Sequence, residues 1–338
     1  MSERFAGAVN FEYKRGEVDY TEGYILKTKF FRCSHVKFPT RYRYPEKGTE
    51  TVEIYHFEPR EEPVGSVVIL HGLGTKNIAF LLWLASHMAN AGVRSTVPIL
   101  PGNFTRTAHG STSGKDFFSS DVERTLRFWE HAVVDTMSSV DFLKQRGYWH
   151  DNNCLVGYCL GGMLSVILGA LNKELFEQMI IIAAGGDMAE LMWHSPTLAF
   201  VRKEFQRGGG REHSLDDERL LKQIFLNDIR QLESFESVYE MLNSSIHPLL
   251  KVDPVAYARF VNKSRITMLE ALFDRSLPPR SRRILWETLG RPKRYFIPAG
   301  HVTWLPFQFF IGNFILKKMN IKELKRRIKL MQKPKVEK

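Results

Sequence analysis

Six short runs limit what this chain can fold into more than any other feature. VVIL (67–70), RSTVPIL (94–100), NCLVGY (153–158), MIIIAA (179–184), ITMLEALF (266–273) and RYFIP (294–298) are apolar and β-branched, without clean alternation. A strand covered on both faces has no polar side to show, so these runs predict the inner strands of a buried sheet. Helical patterns separate most of them. NIAFLLWLASHMANAG (77–92) ends at a glycine, and SSDVERTLRFWEHAVVDTMSSVDFLKQRG (119–147) opens on Ser and Asp and closes at Gly147. This alternating order implies a mostly parallel α/β sheet between helices. Ahead of it, ETVEIYHFEP (50–59) alternates after the turn-like PEKGT and reads as a half-buried strand, antiparallel to the one before it. The expectation is eight strands, with an N-terminal segment and hairpin over 1–62.

The rhythm breaks once. Residues 188–252 offer no strand candidate, and there Leu221, Ile224, Phe225, Ile229, Leu232, Phe235 and Met241 recur near helical spacing. Ser214 and Asp217 are placed like a capping box. The segment reads as a helical cap inserted into the core, dividing it into 63–187 and 253–316.

Composition narrows the class. Of 338 residues, 43% are hydrophobic and 25% charged, as in a globular protein with a substantial core. The first thirty residues hold no apolar core of a secretory signal. WLPFQFFIGNFIL (304–316), 13 residues with Gln308 and Asn313, is too short and polar to span a bilayer. Three cysteines without a C-x-x-C pattern suggest neither a disulfide framework nor a zinc ribbon, and a reducing cytoplasm is the expected location. The eleven histidines show no metal-ligand spacing, and no cofactor is expected. The net charge of +11 is concentrated in 317–338, which carry ten Lys/Arg against two Glu, or +8, leaving +3 for the other 316 residues. A basic tail does not make the body a nucleic-acid binder.

GYCLGG (157–162) lies between a predicted strand and the helix-forming LGGMLSVILGALNK. A G-x-nucleophile-x-G turn makes chemical sense only there, because small flanking residues permit a sharp turn that lifts one side chain above the sheet edge. The following helix N-terminus lowers a thiol pKa and offers free N–H groups to an oxyanion. The plain alternative is that Cys159 is an inert core thiol. Three further features favour chemistry. HGLG (71–74) follows the strand VVIL and offers the Leu73 amide beside that of Leu160, with His71 in a structural role. Asp274 follows a predicted strand, and His301 stands after the last one in RYFIPAGHVTW. The order Cys159, Asp274, His301 is nucleophile, acid, histidine.

With these features the chain, over residues 40–316, resembles the α/β-hydrolase superfamily. Its cysteine elbow is similar to dienelactone hydrolase, GYCLGG to the corresponding box of polyhydroxyalkanoate synthases, and DPVAYARFVNKSRITMLEALFDRSLPP to the approach to the acid in acetyl-esterase-like members. The resemblance implies a helix-flanked sheet and hydrolysis of an ester or thioester of a small molecule or acyl chain. Catalysis would rest on Cys159, His301 and Asp274, with an oxyanion hole from Leu73 and Leu160. An acyltransferase and a non-catalytic binding protein of the same fold are the alternatives.

Several residues compete for roles. Glu270 is a rival acid, and so are Asp187 and Asp253, which flank the insertion, with Asp253-Pro254 reading as a helix start. His194 reads as a lid residue. AHGSTSGKDFF (108–118) resembles a phosphate loop but has His109 and Asp116 at two defining positions, and is expected as a loop near the site mouth. Phe307, Phe310, Ile311 and Phe314 are expected against the sheet. Ile321, Leu324, Ile328 and Met331 form an apolar side opposite Lys and Arg, suiting either a solvated extension, an oligomer contact, or a peripheral anchor on anionic lipid.

Overall fold

A computed structural model describes residues 8–74 and 78–331. Among the described residues nine strands form one sheet in the order β1-β2-β3-β5-β4-β6-β7-β8-β9. They are β1 Thr21–Lys27, β2 Phe31–Pro39, β3 Thr51–Pro59, β4 Ser66–Leu70, β5 Arg94–Ile99, β6 Asn153–Tyr158, β7 Gln178–Ile182, β8 Ile266–Ala271 and β9 Lys293–Ile297. β1, β2, β3 and β5 pair antiparallel in sequence, and every other pairing is parallel. The sheet therefore has one strand more than the eight expected. β1 escaped the sequence because all seven of its residues are exposed at the sheet edge, so no buried face imprints a pattern on it.

The principal helices are α1 Ile78–Asn90, α2 Val122–Gln145, α3 Leu160–Leu171, α4 Met188–His194, α5 Ala199–Phe205, α6 Glu218–Gln231, α7 Val238–Leu242, α8 Pro254–Tyr257, α9 Pro279–Thr288, α10 Gln308–Lys318 and α11 Ile321–Met331. Side chains along a strand alternate between the two faces. In β4, Val68 and Leu70 join the core beneath α2, α3 and α8, whereas Val67 and Ile69 join the core beneath α1 and α10. Both cores need apolar residues, and for that reason the inner runs show no alternation. Asp121 caps α2 by accepting from the Arg124 amide at 3.0 Å.

Residues 188–252 contain helices and no strand. Leu221, Phe225, Leu232 and Met241 are buried there as their spacing predicted. The capping box is not formed. Asp217 itself caps α6 by accepting from the Leu220 amide at 3.0 Å, and Ser214 sits in the left-handed region before it. The two ends of this segment meet at one carboxylate. Asp253 accepts from the amides of Asp187 (3.1 Å), Met188 (2.5 Å) and Val255 (2.9 Å), tying the start of α4 to the start of α8.

The last two helices depart from expectation. Ile311 and Ile315 of α10 are buried, but Phe307 and Phe310 project outward, and Phe314 is half-buried. In α11, Ile321 is buried, and the Met319 carbonyl before it accepts from the Asn152 side chain at 3.1 Å, near the start of β4. That places α11 at the opposite end of the strands from Cys159. Residues 332–338 of the basic tail lie outside the described residues.

Candidate active site

The turn after β6 is built from small residues because it has no room for others. A Cβ on Gly157 would meet the Gly161 carbonyl oxygen at 2.2 Å, and one on Gly161 would meet the Leu70 oxygen at 2.4 Å. With both positions bare, α3 packs directly on the ends of β4 and β6. Cys159, between them, takes φ 53° and ψ −114°, a conformation L-residues rarely adopt. It is held there by its own amide donating to the Ile182 oxygen at 2.9 Å and by the Gly161 amide donating to the His71 oxygen at 3.0 Å. The result aims the sulfur away from the sheet, at the N-terminus of α3.

The structure brings together the residues whose order the sequence singled out. His301 Nδ1–H donates to Asp274 Oδ2 at 2.8 Å, and the same ring also hydrogen-bonds the Cys159 thiol. Asp274 Oδ1 accepts from the amides of Ser276 at 2.8 Å and Leu277 at 3.0 Å, so both carboxylate oxygens are occupied and the acid cannot swing. The Leu73 and Leu160 amides point at the sulfur. Tyr158 adds a residue the sequence did not suggest. Its hydroxyl donates to the His301 carbonyl at 2.9 Å and so fixes the loop that carries the histidine.

Electrostatics follow from this geometry. Burial opposes charge on both Cys159 and His301, and their mutual attraction overcomes it. The thiol is held below its ordinary range by His301 and by the Leu73 and Leu160 amides. Against the same burial penalty, Cys159 first and then Asp274 raise His301 to about 10. Hydrogen bonds from His301 and the two amides keep Asp274 below the usual carboxylate range despite its burial. Each partner thus favours the charged form of the other, thiolate beside imidazolium.

The rivals are placed elsewhere. Glu270 is buried within β8 between Arg294 at 3.2 Å and Arg282 at 3.5 Å. Asp187 caps α4, accepting from the Glu190 amide at 3.0 Å, and Asp253 makes the three amide contacts described above. His194 pairs with Glu218 at 2.9 Å. His71 is fully buried, with Nε2 accepting from the Leu100 amide at 2.9 Å, so its proton sits on Nδ1 and is donated to the Gly72 oxygen at 2.7 Å. Burial holds that ring neutral, at about 4. The 108–118 loop packs beneath the HGLG turn, where a Cβ on Gly114 would meet the Gly74 amide at 2.4 Å, and its Phe118 reaches the site. Asn103, which the sequence did not single out, accepts at its Oδ1 from the Gly74 amide at 2.8 Å and supports the same turn.

A cavity of about 230 Å³ opens beside the sulfur. Leu73, Leu81, Leu160, Met163 and Leu305 line its core side, Leu191 and Leu198 come from the inserted segment, and Leu277 from the acid loop. Among the described residues, the Cys159–His301 pair and the Tyr158 phenol are the only ionisable side chains that line it. Ser195 of the insertion donates to the Ser276 oxygen at 2.7 Å, joining this roof to the loop that holds Asp274. Among the described residues, no three His, Cys, Asp or Glu side chains gather as a metal site requires, and no helix is long and apolar enough to cross a membrane.

No sequence family matches this chain, and neither does any curated protein. Solved structures do. An acetyl xylan esterase from Paenibacillus sp. R4 superposes with a TM-score of 0.54 at 13% identity, covering 85% of this chain and 84% of that one. An acylaminoacyl peptidase from Pyrococcus horikoshii gives 0.53 at 13% identity, covering 90% of this chain and 42% of that longer one. At such identity the likeness concerns architecture alone, and the architecture is the α/β-hydrolase fold.

Proposed function

We propose that the chain hydrolyses a carboxylic ester or thioester through an acyl-enzyme on Cys159. The observation that carries this reading is one histidine bridging Asp274 and Cys159, while two amides face the same sulfur. The thiolate attacks the carbonyl carbon and a C–S bond forms. The negative charge moves to the carbonyl oxygen, which the Leu73 and Leu160 amides hold. Collapse breaks the bond to the leaving group, which takes the proton from His301 Nε2. Acylation also discharges the sulfur. The largest influence raising His301 then disappears, so the neutral imidazole can take a proton from water for deacylation. Water adds to the acyl carbon, the C–S bond breaks and the acid leaves.

The cavity narrows the substrate class. Its described lining is largely apolar, which favours an apolar acyl group. The similarity of GYCLGG to the polymer-synthase box favours a second acceptor, an alcohol, and comparing products with and without added alcohol separates hydrolysis from transfer. Cys159→Ala assayed on p-nitrophenyl esters of graded chain length tests the proposal. Loss of at least ~10⁴-fold in turnover is expected; an undiminished rate would remove Cys159 as the nucleophile, and no turnover by the wild type would leave a binding protein of this fold as the better reading.

A further inference from the structure

Beside the cavity mouth lies an apolar surface that the proposed chemistry does not use. Val302 both lines the cavity and is half exposed, so the cavity opens next to it. On the two segments that continue from the cavity-lining Leu81 and Leu305, Trp83, Phe307, Phe309 and Phe310 are between 54% and 68% exposed. They belong to one surface. Phe309 packs on His87 with ring centroids 4.6 Å apart, and Trp83 lies four residues before His87 on the same face of α1. Phe307, Phe310, Phe314 and Lys317 follow at three- and four-residue steps, a single stripe running from the cavity mouth down α10 to its cationic end. Lys318 continues it, 5.2 Å from the ring of Tyr295 on the edge strand β9. Large aromatic side chains concentrated beside an apolar cavity are not the scattered exposure of an ordinary surface.

Charge selects the occupant. From Val302 to Lys318 the only Lys, Arg, Asp or Glu residues are Lys317 and Lys318, both cationic and both at the end of α10. A second copy of the chain meeting this surface through a two-fold axis would set that cationic face against itself. A bilayer with anionic headgroups instead complements the cations, and the aromatic rings suit the depth of its headgroups. The eleven residues of α10 span ~16 Å at 1.5 Å per residue, so a plane laid along the helix meets the aromatic end and the lysine end together. We propose that this α10 face, with Trp83, Val302, Phe307, Phe309 and Phe310 beside the cavity mouth, seats on an anionic lipid surface. The contact goes beyond the acyl-transfer reading and does not depend on it. The basic helix α11, at the far end of the strands, contributes charge but cannot by itself present the cavity to lipid.

Co-sedimentation with vesicles of phosphatidylglycerol and phosphatidylcholine tests the proposal on the full chain. Wild type and Cys159→Ala should pellet alike, which separates the surface from the chemistry. Phe307→Ser with Phe310→Ser, and separately Lys317→Glu with Lys318→Glu, should each weaken partitioning at least tenfold. Phe307, Phe310 and Lys317 are exposed and Lys318 is half-buried over Tyr295, so an unchanged melting temperature should accompany the aromatic double variant. Binding should drop on pure phosphatidylcholine and fall steeply between 0.1 and 1 M salt. Equal pelleting of the aromatic double variant and wild type would overturn the proposal. So would a concentration-dependent dimer, seen by sedimentation velocity, that this variant abolishes while vesicles bind neither form; the occupant would then be a second copy.

Discussion

Cys154, near the start of β6, and Cys159, just past its end, are five residues apart on one segment and have opposite chemistry. Cys154 is wholly buried among aliphatic side chains of the α1 side, and burial alone pushes its thiol well above the ordinary range. Cys33, on β2, is likewise pushed up to about 12. Cys159 is only partly buried, at a positive-φ turn that directs its sulfur toward His301 and two amides, and although desolvation opposes its charge its thiol is lowered. The residue type is shared and the desolvation is shared. The difference is whether the backbone delivers compensating charge and N–H groups to the sulfur.

The comparison breaks most decisively under substitution. Cys159→Ala should lower ester turnover by ~10⁴-fold or more, while Cys154→Ala should leave turnover intact and cost only about 1 kcal/mol of stability by chemical denaturation. Comparable losses of activity from both would refute a special role for the elbow. Asp274→Asn comes next, with a fall of ~10⁴-fold expected because Asn can present its NH₂ to His301 Nδ1 and disfavour the required tautomer. Unchanged kcat/KM would hand the acid's role to another group, and Glu270 could be substituted next to see whether it is that group.

The pH dependence sharpens the contrast. Cys159 has a lowered pKa, so its thiolate persists as pH falls below the ordinary thiol range and is lost only on reaching the depressed value. His301, raised to about 10, keeps its proton until the pH climbs to that region. The ion pair therefore occupies the window between the two. Its stabilisation of the fold disappears at both ends, as Cys159 is protonated on the acid side and His301 is deprotonated on the alkaline side. Iodoacetamide, followed by mass spectrometry at neutral pH, should label Cys159 at least ~10-fold faster than Cys154 or Cys33. Equal rates for the three thiols would contradict the geometry. The smallest expected effect is on the turn itself: Gly161→Ala forces a Cβ to within 2.4 Å of the Leu70 oxygen and should cost about 1–3 kcal/mol. A wild-type melting temperature would show that the turn relaxes more readily than its packing implies.

Much of the site was legible because the fold places chemistry at strand ends, and strands buried on both faces announce themselves as apolar runs. Gly157, Cys159 and Gly161 stand where β6 passes into α3, and His301 stands after β9, so the positions could be read from the runs before them. Asp274 against Glu270 could not be decided that way, since both follow or end the same run. What decided it was the strand's stopping at Ala271, which leaves Glu270 in the sheet beside Arg294 and frees Asp274 to reach His301. The capping residue of α6 was mistaken for a similar reason, since Ser214 and Asp217 are equally good caps by composition and only the local turn selects Asp217.

The sequence by itself determined the α/β order, the strand-free helical stretch over 188–252, the strand-to-helix turn around Cys159 and the chain order of Cys159, Asp274 and His301. Each of these rests on local periodicity or on residue types that backbone sterics demand. Tertiary structure alone decided which carboxylate meets His301, that a ninth strand adds to the open edge, and that Phe307 and Phe310 face outward while α11 packs at the far end of the strands. Those outcomes depend on what covers a residue. An aromatic at helical spacing reads the same whether the surface it meets is the sheet, solvent or a bilayer, and only the packing of α10 on α1 shows which side is covered.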